Sequence, residues 1–227
     1  VNTGTDATIP ALVRVTGDYF TLTGLTIDTP YKTGVHLYAC SYGKIVDNNF
    51  TGGPTAYSDT AYFGVRTYNG GNHLIANNQF YPDAGGGMYV QCIFSNGSDK
   101  CVIDGNIATK PYEKLVYLVS SYNLVTGNMV IGSTTTIAGT NTAGTVGTVF
   151  RCDGNNNKII GNYSIYGGGA TCRLGGKNDI SNNTFFNCGQ SGIAVVASSS
   201  VFDYTTIRNN VITCGDIAGV YVSNGIL

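Results

Sequence analysis

The segment Ile180-Ser-Asn-Asn-Thr-Phe185 shows a pattern that recurs along the whole chain. An apolar residue alternates with a polar one, an Asn follows, and a second alternating pair comes after it. The Asn that anchors one copy lies 21 to 34 residues from the anchor of the next. A period of this length is typical of a repeat architecture. The anchors are Asn49, Asn78, Asn106, Asn128, Asn162, Asn183 and Asn210.

Two copies depart from the pattern. The first, Leu22-Thr-Gly-Leu-Thr-Ile27, carries Leu25 where the others carry Asn. The copy that begins at Ile160 lacks one residue before Asn162.

Each copy predicts two short β-strands joined by a tight bend, because the period-2 alternation is interrupted by one fixed polar residue. A helix is disfavoured, because the apolar residues alternate with polar ones and Gly, with 32 copies, is scattered along the chain. A coil of strands that advances by one strand spacing per turn would stack each Asn on the next. Each side-chain amide could then donate to and accept from its neighbours. We therefore assign these Asn residues a structural role.

A second predicted strand precedes each copy and carries apolar residues at alternate positions. Nine such pairs predict about nine turns, and at roughly 4.8 Å per strand the coil would be on the order of 40 Å long. Three connections rich in Gly, Thr, Ser or Pro, at 51–62, 81–87 and 132–147, are predicted to project as loops. The pairs are Val13/Val15, Val35/Leu37, Val65/Thr67, Met88/Val90, Val116/Leu118, Phe150/Cys152, Cys172/Leu174, Ile193/Val195 and Val220/Val222.

The length allows one elongated domain or one to two globular ones, and the uninterrupted repeat predicts a single all-β domain over 1–227. The chain has 227 residues, of which 42% are apolar and 16 are Tyr, so there is ample surface to bury. Only 11% are charged and the net charge is −1, which argues against a nucleic-acid partner. No apolar run is long enough to insert into a membrane. Because a solenoid needs polar caps and neither end supplies one, we expect a fragment of a longer chain.

The seven Cys residues cannot all pair internally, and several occupy apolar positions of the pattern. We interpret them as buried thiols in a protein that folds in a reducing cytosol. A disulfide between Cys188 and Cys214, at matching places in adjacent repeats, is the alternative for that pair. No CxxC motif or Cys/His cluster predicts a metal, and no cofactor is expected.

The residues predicted to face outward between the apolar pairs form a column with an unusual composition. Four of the five Arg and one of the two His of the chain fall in it. Such a face suits an elongated carbohydrate, because Tyr stacks on sugar rings and Arg matches carboxylate, sulfate or phosphate groups. The alternative is packing under a loop or against another subunit. The column is Arg14, His36, Arg66, Tyr89, Tyr117, Arg151, Arg173, Ala194 and Tyr221, and the next one outward includes Tyr38, Tyr68, Gln91, Val119 and Asp153.

The I-x-[NG]-N-x-[FIV] phrase and the strands that precede it, such as Gly34-Val-His-Leu37 and Gly192-Ile-Ala-Val195, carry a resemblance. They are similar to the right-handed parallel β-helix of the pectate-lyase-like superfamily, with an Asn ladder. This superfamily includes pectin-degrading enzymes, alginate epimerases and phage tailspikes. Plentiful Thr, Ser and Gly with little charge make the chain most similar to a tailspike. The resemblance implies a homotrimer on a virion tail or outside the cell that binds and cleaves a bacterial surface polysaccharide.

Two cleavage mechanisms fit the residues. In β-elimination from a uronic-acid polymer, Arg66 would neutralise the carboxylate while His36 and Tyr89 act as base and acid. Hydrolysis needs two carboxyl groups, for which Asp153 and the single Glu of the chain, Glu113, are the candidates.

Each of these residues also has a plainer interpretation. His36 can be an ordinary exposed histidine, and Asp153 can simply pair with Arg151 and Arg173. The substrate-binding candidates are Arg14, Tyr38, Tyr68, Gln91, Tyr117, Arg151 and Arg173. The remaining hypotheses are a lyase or epimerase of a secreted carbohydrate-active enzyme and a non-catalytic stalk or adhesion module.

Overall fold

The structure is a computed structural model that describes residues 10–29, 33–52, 63–81, 91–111, 114–132, 148–167, 169–172, 176–188, 192–196, 204–214 and 220–223. In these residues the chain forms a coil of parallel strands arranged in three sheets. Each complete turn contributes one strand to each sheet, and each strand pairs with its counterpart one turn earlier and one turn later.

Sheet 1 has nine strands, which confirms the predicted nine turns within the described residues. Its strands are β1 (Ala11–Val15), β4 (Thr33–Tyr38), β7 (Phe63–Gly71), β10 (Gln91–Asp99), β13 (Lys114–Leu118), β16 (Thr148–Cys152), β19 (Gly169–Cys172), β22 (Ile193–Val196) and β25 (Val220–Ser223). The longest of them, β7 and β10, have nine residues each.

Sheets 2 and 3 have eight described strands each and lie on either side of the Asn bend. Sheet 2 contains β2 (Thr21–Thr23), β5 (Lys44–Val46), β8 (Leu74–Ala76), β11 (Val102–Asp104), β14 (Leu124–Thr126), β17 (Lys158–Ile160), β20 (Asp179–Ser181) and β23 (Thr206–Arg208). Sheet 3 contains β3 (Thr26–Thr29), β6 (Asn49–Gly52), β9 (Gln79–Tyr81), β12 (Ile107–Thr109), β15 (Met129–Ile131), β18 (Tyr163–Ile165), β21 (Thr184–Cys188) and β24 (Val211–Cys214).

The buried Asn column is a continuous hydrogen-bonded ladder. The Nδ2 of Asn106 donates to Oδ1 of Asn128 at 2.9 Å and to the backbone oxygen of Ile75 at 2.8 Å. The backbone N–H of Asn106 also donates to Oδ1 of Asn128. The ladder ends at Leu25, whose N–H donates to the Asn48 side chain. Its members are Asn48, Asn78, Asn106, Asn128, Asn162, Asn183 and Asn210.

The first member of the ladder is Asn48, so the predicted anchor Asn49 was wrong by one residue. Asn48 is 1% exposed and Asn49 lies outside the bend, because Phe50 fills the core position. The copy near Asn162 is complete, since Ile159 rather than Ile160 pairs with the apolar position Ile180. In both places two consecutive apolar residues make the alternation fit either register.

A second polar ladder lies at the turn between sheets 1 and 2, and the sequence pattern did not reveal it. Asn123 donates from its N–H and its Nδ2 to Oδ1 of Asn157, and the N–H of Asn157 donates to Asn178. Cys101 donates its N–H to Asn123, and Nδ1 of His73 accepts the N–H of Gly43. Because this column mixes Asn, Cys and His, no single residue type marks it.

The core between the sheets consists of stacked apolar side chains. Phe50 and Phe80 of sheet 3 stack with their ring centroids 4.8 Å apart, and both are fully buried. The described thiols lie in the same interior, as predicted. Burial raises the pKa of Cys101 to about 12. The Sγ atoms of Cys152 and Cys172 lie 2.9 Å apart, and that hydrogen bond, together with burial, raises the pKa of Cys152.

The register places Cys188 opposite Cys214 on adjacent turns. Of the predicted loops 51–62, 81–87 and 132–147, residues 53–62, 82–87 and 133–147 lie outside the described residues. No helix in the described part of the chain is long and apolar enough to cross a bilayer.

Candidate functional site

The outward column of sheet 1 is continuous in the structure. Arg14, His36 and Arg66 are register partners on β1, β4 and β7, and Tyr117 and Arg151 are partners on β13 and β16. Phe94 joins the two groups. Beyond Arg151 the row continues through Thr171 to Ala194 and Tyr221. Seven of the nine predicted residues therefore lie in one row, since parallel pairing in register stacks equivalent positions.

Two turns of the predicted column were assigned to the wrong residues. In the fourth turn Ile93 and Ser95 take the inward positions given to Met88 and Val90, and Phe94 lies between them in the row. In the seventh turn Ala170 and Cys172 replace Cys172 and Leu174. Arg173 is therefore not the residue of this row in its turn, which is Thr171.

The remaining predicted site residues are placed as follows. Gln91 pairs with Phe63 and Lys114 at the start of β10, so Asn96 takes the place beside Tyr68 that was predicted for Gln91. Tyr89, Glu113 and Arg173 lie outside the described residues.

His36 is fully buried, so its interpretation as an exposed histidine was wrong. The Tyr38 ring approaches it edge-on, with centroids 5.8 Å apart. Neither ring nitrogen has a hydrogen-bond partner among the residues that the structure describes. Burial, and next the charges of Arg66 and Arg14, lower the pKa of His36 to about 4. The imidazole is therefore neutral at neutral pH, with two unsatisfied nitrogens.

Aromatic rings hold the arginines beside His36. The guanidinium carbon of Arg66 lies 4.9 Å from the Phe63 centroid and 5.4 Å from that of Phe94. That of Arg14 lies 4.8 Å from the Tyr38 centroid. Each contact is within cation–π range. Phe63 was missed because it precedes the alternating stretch of β7.

Tyr38 and Tyr68 form a flat platform next to His36. They are register partners on β4 and β7, and their rings stack 5.7 Å apart at an interplanar angle of 9°. Both side chains are partly exposed, so the platform is open to a ligand. Stacked, partly exposed Tyr rings present an apolar face with a hydrogen-bonding hydroxyl, a combination that suits a sugar ring.

An ion pair occupies the other end of the row. Nε of Arg151 donates to Oδ1 of Asp153 at 2.9 Å, Nη2 of Arg151 donates to Oδ2, and the Tyr117 hydroxyl donates to Oδ2 at 2.9 Å. Arg151 also lies 4.5 Å from the Tyr117 centroid. The predicted ion pair of Asp153 with Arg151 is thus present. Both carboxylate oxygens are engaged, which leaves Asp153 poorly placed as a nucleophile.

The described residues of this face carry an excess of positive charge. They include four cationic side chains, Arg14, Arg66, Lys114 and Arg151, of which Arg151 pairs with Asp153. Lys114 Nζ lies 5.7 Å from the Tyr117 centroid. A face of this charge favours an anionic ligand. In the same part of the chain no cluster of three His, Cys, Asp or Glu side chains could hold a metal ion.

Stacked parallel strands in three sheets, with a buried Asn ladder at one bend, define a parallel β-helix. Residues 11–130 match the family described as right handed beta helix region, and the chain belongs to that family. At the level of sequence, no curated protein matches the chain.

Solved structures of similar fold include enzymes and an adhesin. An alginate lyase from Paenibacillus sp. str. FPU-7 is 15% identical with a TM-score of 0.71, over 95% of this chain and 76% of the lyase. PfbA, a surface adhesin of Streptococcus pneumoniae, is 12% identical with a TM-score of 0.57, over 92% of this chain and 62% of the adhesin.

A third structure, DFA-IIIase from Arthrobacter chlorophenolicus A6 without its lid, is 17% identical with a TM-score of 0.51, over 96% of this chain and 56% of that enzyme. The chain therefore spans less than two thirds of the adhesin and of DFA-IIIase. At these identities the similarity concerns the fold.

Proposed function

We propose that this β-helix binds an acidic polysaccharide along the outward face of sheet 1 and cleaves it by β-elimination at His36. The observation that carries the proposal is a buried, neutral His36 beside two arginines, with two ring nitrogens that have no hydrogen-bond partner in the described part of the chain. A buried polar group without a partner costs stability, so its presence calls for a function. Binding of a uronic acid would supply the missing partner.

The proposed reaction needs three groups. Arg66 neutralises the carboxylate of the uronic acid, which acidifies the carbon-bound proton beside it. One nitrogen of neutral His36 takes that proton, the bond to the leaving sugar oxygen breaks, and a carbon–carbon double bond forms. The hydroxyl of Tyr38 or Tyr68, on the adjacent platform, protonates the leaving oxygen. Because His36 is fully buried, the face must open over it when the polymer binds.

Hydrolysis is the less supported mechanism. It requires a pair of carboxyl groups about 5 to 9.5 Å apart. Asp153 is the acid that the described part of the face contributes, and its two oxygens accept from Arg151 and Tyr117. Its predicted partner Glu113 lies outside the described residues.

The similar folds are consistent with this proposal in different ways. One neighbour is an alginate lyase, an enzyme that by its name acts on a polysaccharide. Another is a surface adhesin, which favours the second candidate function, a non-catalytic binding module. The finer hypothesis from the sequence is a homotrimeric phage tailspike that acts on a bacterial surface polysaccharide, on a virion tail or outside the cell. It stays a proposal.

The test is to incubate the protein with alginate, polygalacturonate and purified bacterial capsules, with neutral dextran as control. A lyase generates products with the ultraviolet absorbance of an unsaturated sugar, whereas a hydrolase generates reducing ends without it. His36→Gln and Arg66→Gln should abolish the absorbance change. Thr16→Ala, an exposed change beyond β1, should keep it.

Binding and cleavage can fail separately. Retained binding of an acidic polymer without any cleavage would replace the lyase proposal with the binding module. Cleavage that survives His36→Gln would exclude His36 as the base. Absence of binding to every acidic polymer would exclude the face as a glycan site.

A further inference from the structure

Each turn has two bends that each contain one residue in the left-handed backbone conformation. The residue types at the first bend differ from those at the second. At the bend between sheets 2 and 3 this position is always filled by Gly, Asn or Asp, with φ between 53° and 69°. These residue types tolerate the conformation best. They are Gly24, Asp47, Asn77, Gly105, Gly127, Gly161, Asn182 and Asn209.

At the bend between sheets 1 and 2 the same conformation is held mostly by large side chains. Their φ values lie between 55° and 63°, and four of the eight residues are Tyr. A bulky side chain with positive φ is a backbone outlier, and such outliers concentrate at functional sites. We name this row the tyrosine edge; it consists of Tyr19, Tyr42, Asn72, Lys100, Tyr122, Asn156, Lys177 and Tyr204.

The tyrosine edge is a straight row, because each member lies two residues before one of eight register partners in sheet 2. From the second turn to the eighth the residue types repeat every three turns. Three strand spacings correspond to about 14 Å. The repeating order is Tyr42, Asn72, Lys100, Tyr122, Asn156, Lys177 and Tyr204.

The tyrosine side chains of this row point into solvent. Tyr204 is 84% exposed, Tyr19 77%, Tyr122 59% and Tyr42 47%. The rings of Tyr19 and Tyr42 stack in parallel, 4.8 Å apart at 2°. Rings this exposed contribute little to the core, so packing does not explain why the strained conformation carries them.

The charge next to the rings is mainly positive. Lys100 and Lys177 belong to the row, and Lys44 and Lys158 are exposed two residues after other members. Among the described acids near the row, Asp179 pairs with Arg208 at 3.0 Å, while Asp18 and Asp99 accept the backbone N–H of Ser41 and Ser121, which does not balance a carboxylate charge. The four lysines outnumber these two acids, so the local charge favours an anionic ligand.

We propose that the tyrosine edge is a second glycan-binding site, separate from the sheet 1 face, for a linear anionic polysaccharide with a repeat of about 14 Å. Each exposed Tyr stacks on a sugar ring, each Asn offers an amide, and each Lys pairs with a carboxylate or sulfate. The site holds the polymer without cleaving it. Its three-turn period selects polymers whose charge and ring faces recur at the same interval.

The backbone conformation provides a sharp test, because Gly is favoured where Tyr is strained. Binding of polygalacturonate, alginate and neutral dextran to the whole chain is measured by affinity electrophoresis, together with thermal unfolding. Tyr122→Gly should weaken binding of an acidic polymer by roughly three- to tenfold and raise or preserve the melting temperature. Asn77→Gly, the matched change at the other bend, should leave binding unchanged.

Combined variants extend the test. They are made in an Arg66→Gln background, which disables the sheet 1 face. In that background Tyr42→Gly with Tyr122→Gly and Tyr204→Gly should abolish retention of the acidic polymers, and Lys100→Asn with Lys177→Asn should flatten the dependence of binding on salt. The proposal is overturned if Tyr122→Gly lowers the melting temperature with unchanged binding, or if dextran binds as well as the acidic polymers.

Discussion

Acidification should destabilise the protein through His36. The folded-state pKa of His36 is about 4, below its ordinary value of 6.5, because burial and two arginines disfavour the imidazolium. Between these two pH values the unfolded chain binds more protons than the folded one. The stabilisation is therefore fully present above pH 6.5 and is lost as the pH falls towards 4.

The magnitude follows from the difference between the two pKa values. Each pKa unit corresponds to about 1.4 kcal/mol, so protonation of His36 should lower the free energy of unfolding by roughly 3 kcal/mol across this window. The chain has one other His, His73, whose pKa is also lowered, chiefly by burial. His73 accepts a backbone hydrogen bond in the second ladder and provides the matched comparison.

Urea denaturation followed by circular dichroism at several pH values measures this effect. His36→Phe keeps an aromatic ring but cannot be protonated, so its free energy of unfolding should fall by about 3 kcal/mol less than that of the wild type between pH 7 and 4. His73→Asn should retain the His36 component, because Asn fits a ladder position. Equal losses in the wild type and in His36→Phe would refute the assignment of a depressed pKa to His36.

Three further outcomes are expected. Asn106→Ala should lower the free energy of unfolding by about 3 kcal/mol in urea denaturation, because the N–H and Nδ2 of the preceding ladder Asn lose their acceptor. Gly64→Ala should destabilise by about 2 kcal/mol, since its Cβ would lie 2.6 Å from a core ring, whereas Gly17→Ala, with nothing within 4 Å, should be neutral. Cys152 and Cys172 should react with a thiol reagent roughly a hundredfold more slowly in the folded protein than in urea, and rapid labelling of the folded protein would contradict their burial.

The fold was predictable because the Asn ladder, its main constraint, recurs from turn to turn and uses one residue type. Each Asn of the ladder satisfies the next, so the column cannot be varied freely and stays visible in the sequence. The errors occurred where alternation allows two registers. Ile45-Val46 and Ile159-Ile160 are apolar doublets, and in the fourth turn Cys92-Ile93-Phe94 is an apolar triplet. Only the packing of the neighbouring turns decides between registers.

The candidate site was predictable in part for the same reason. Arg14, His36 and Arg66 lie within strands whose apolar residues alternate clearly, so their row was found from the sequence. The burial of His36 could not be foreseen, since alternation assigns an outward position but not what covers it. Phe63 and Lys114 precede the alternating stretch of their strands. Their contacts with Arg66 and Tyr117 join residues three apart on one strand, β7 and β13 respectively, and the period-2 pattern does not predict such contacts.

Across the described residues, the coil separates positions that serve the fold from positions that do not. The buried Asn ladder is fully hydrogen-bonded, and the Gly, Asn and Asp residues of one bend suit their positive φ. His36 and the tyrosine edge depart from these two requirements. His36 is a buried imidazole without a hydrogen-bond partner in the described residues, and the tyrosine edge is a row of exposed rings on strained backbone. Neither stabilises the coil, and both lie beside an excess of positive charge. A solenoid can retain such costs because each turn is stabilised mainly by its neighbours, so the cost remains local.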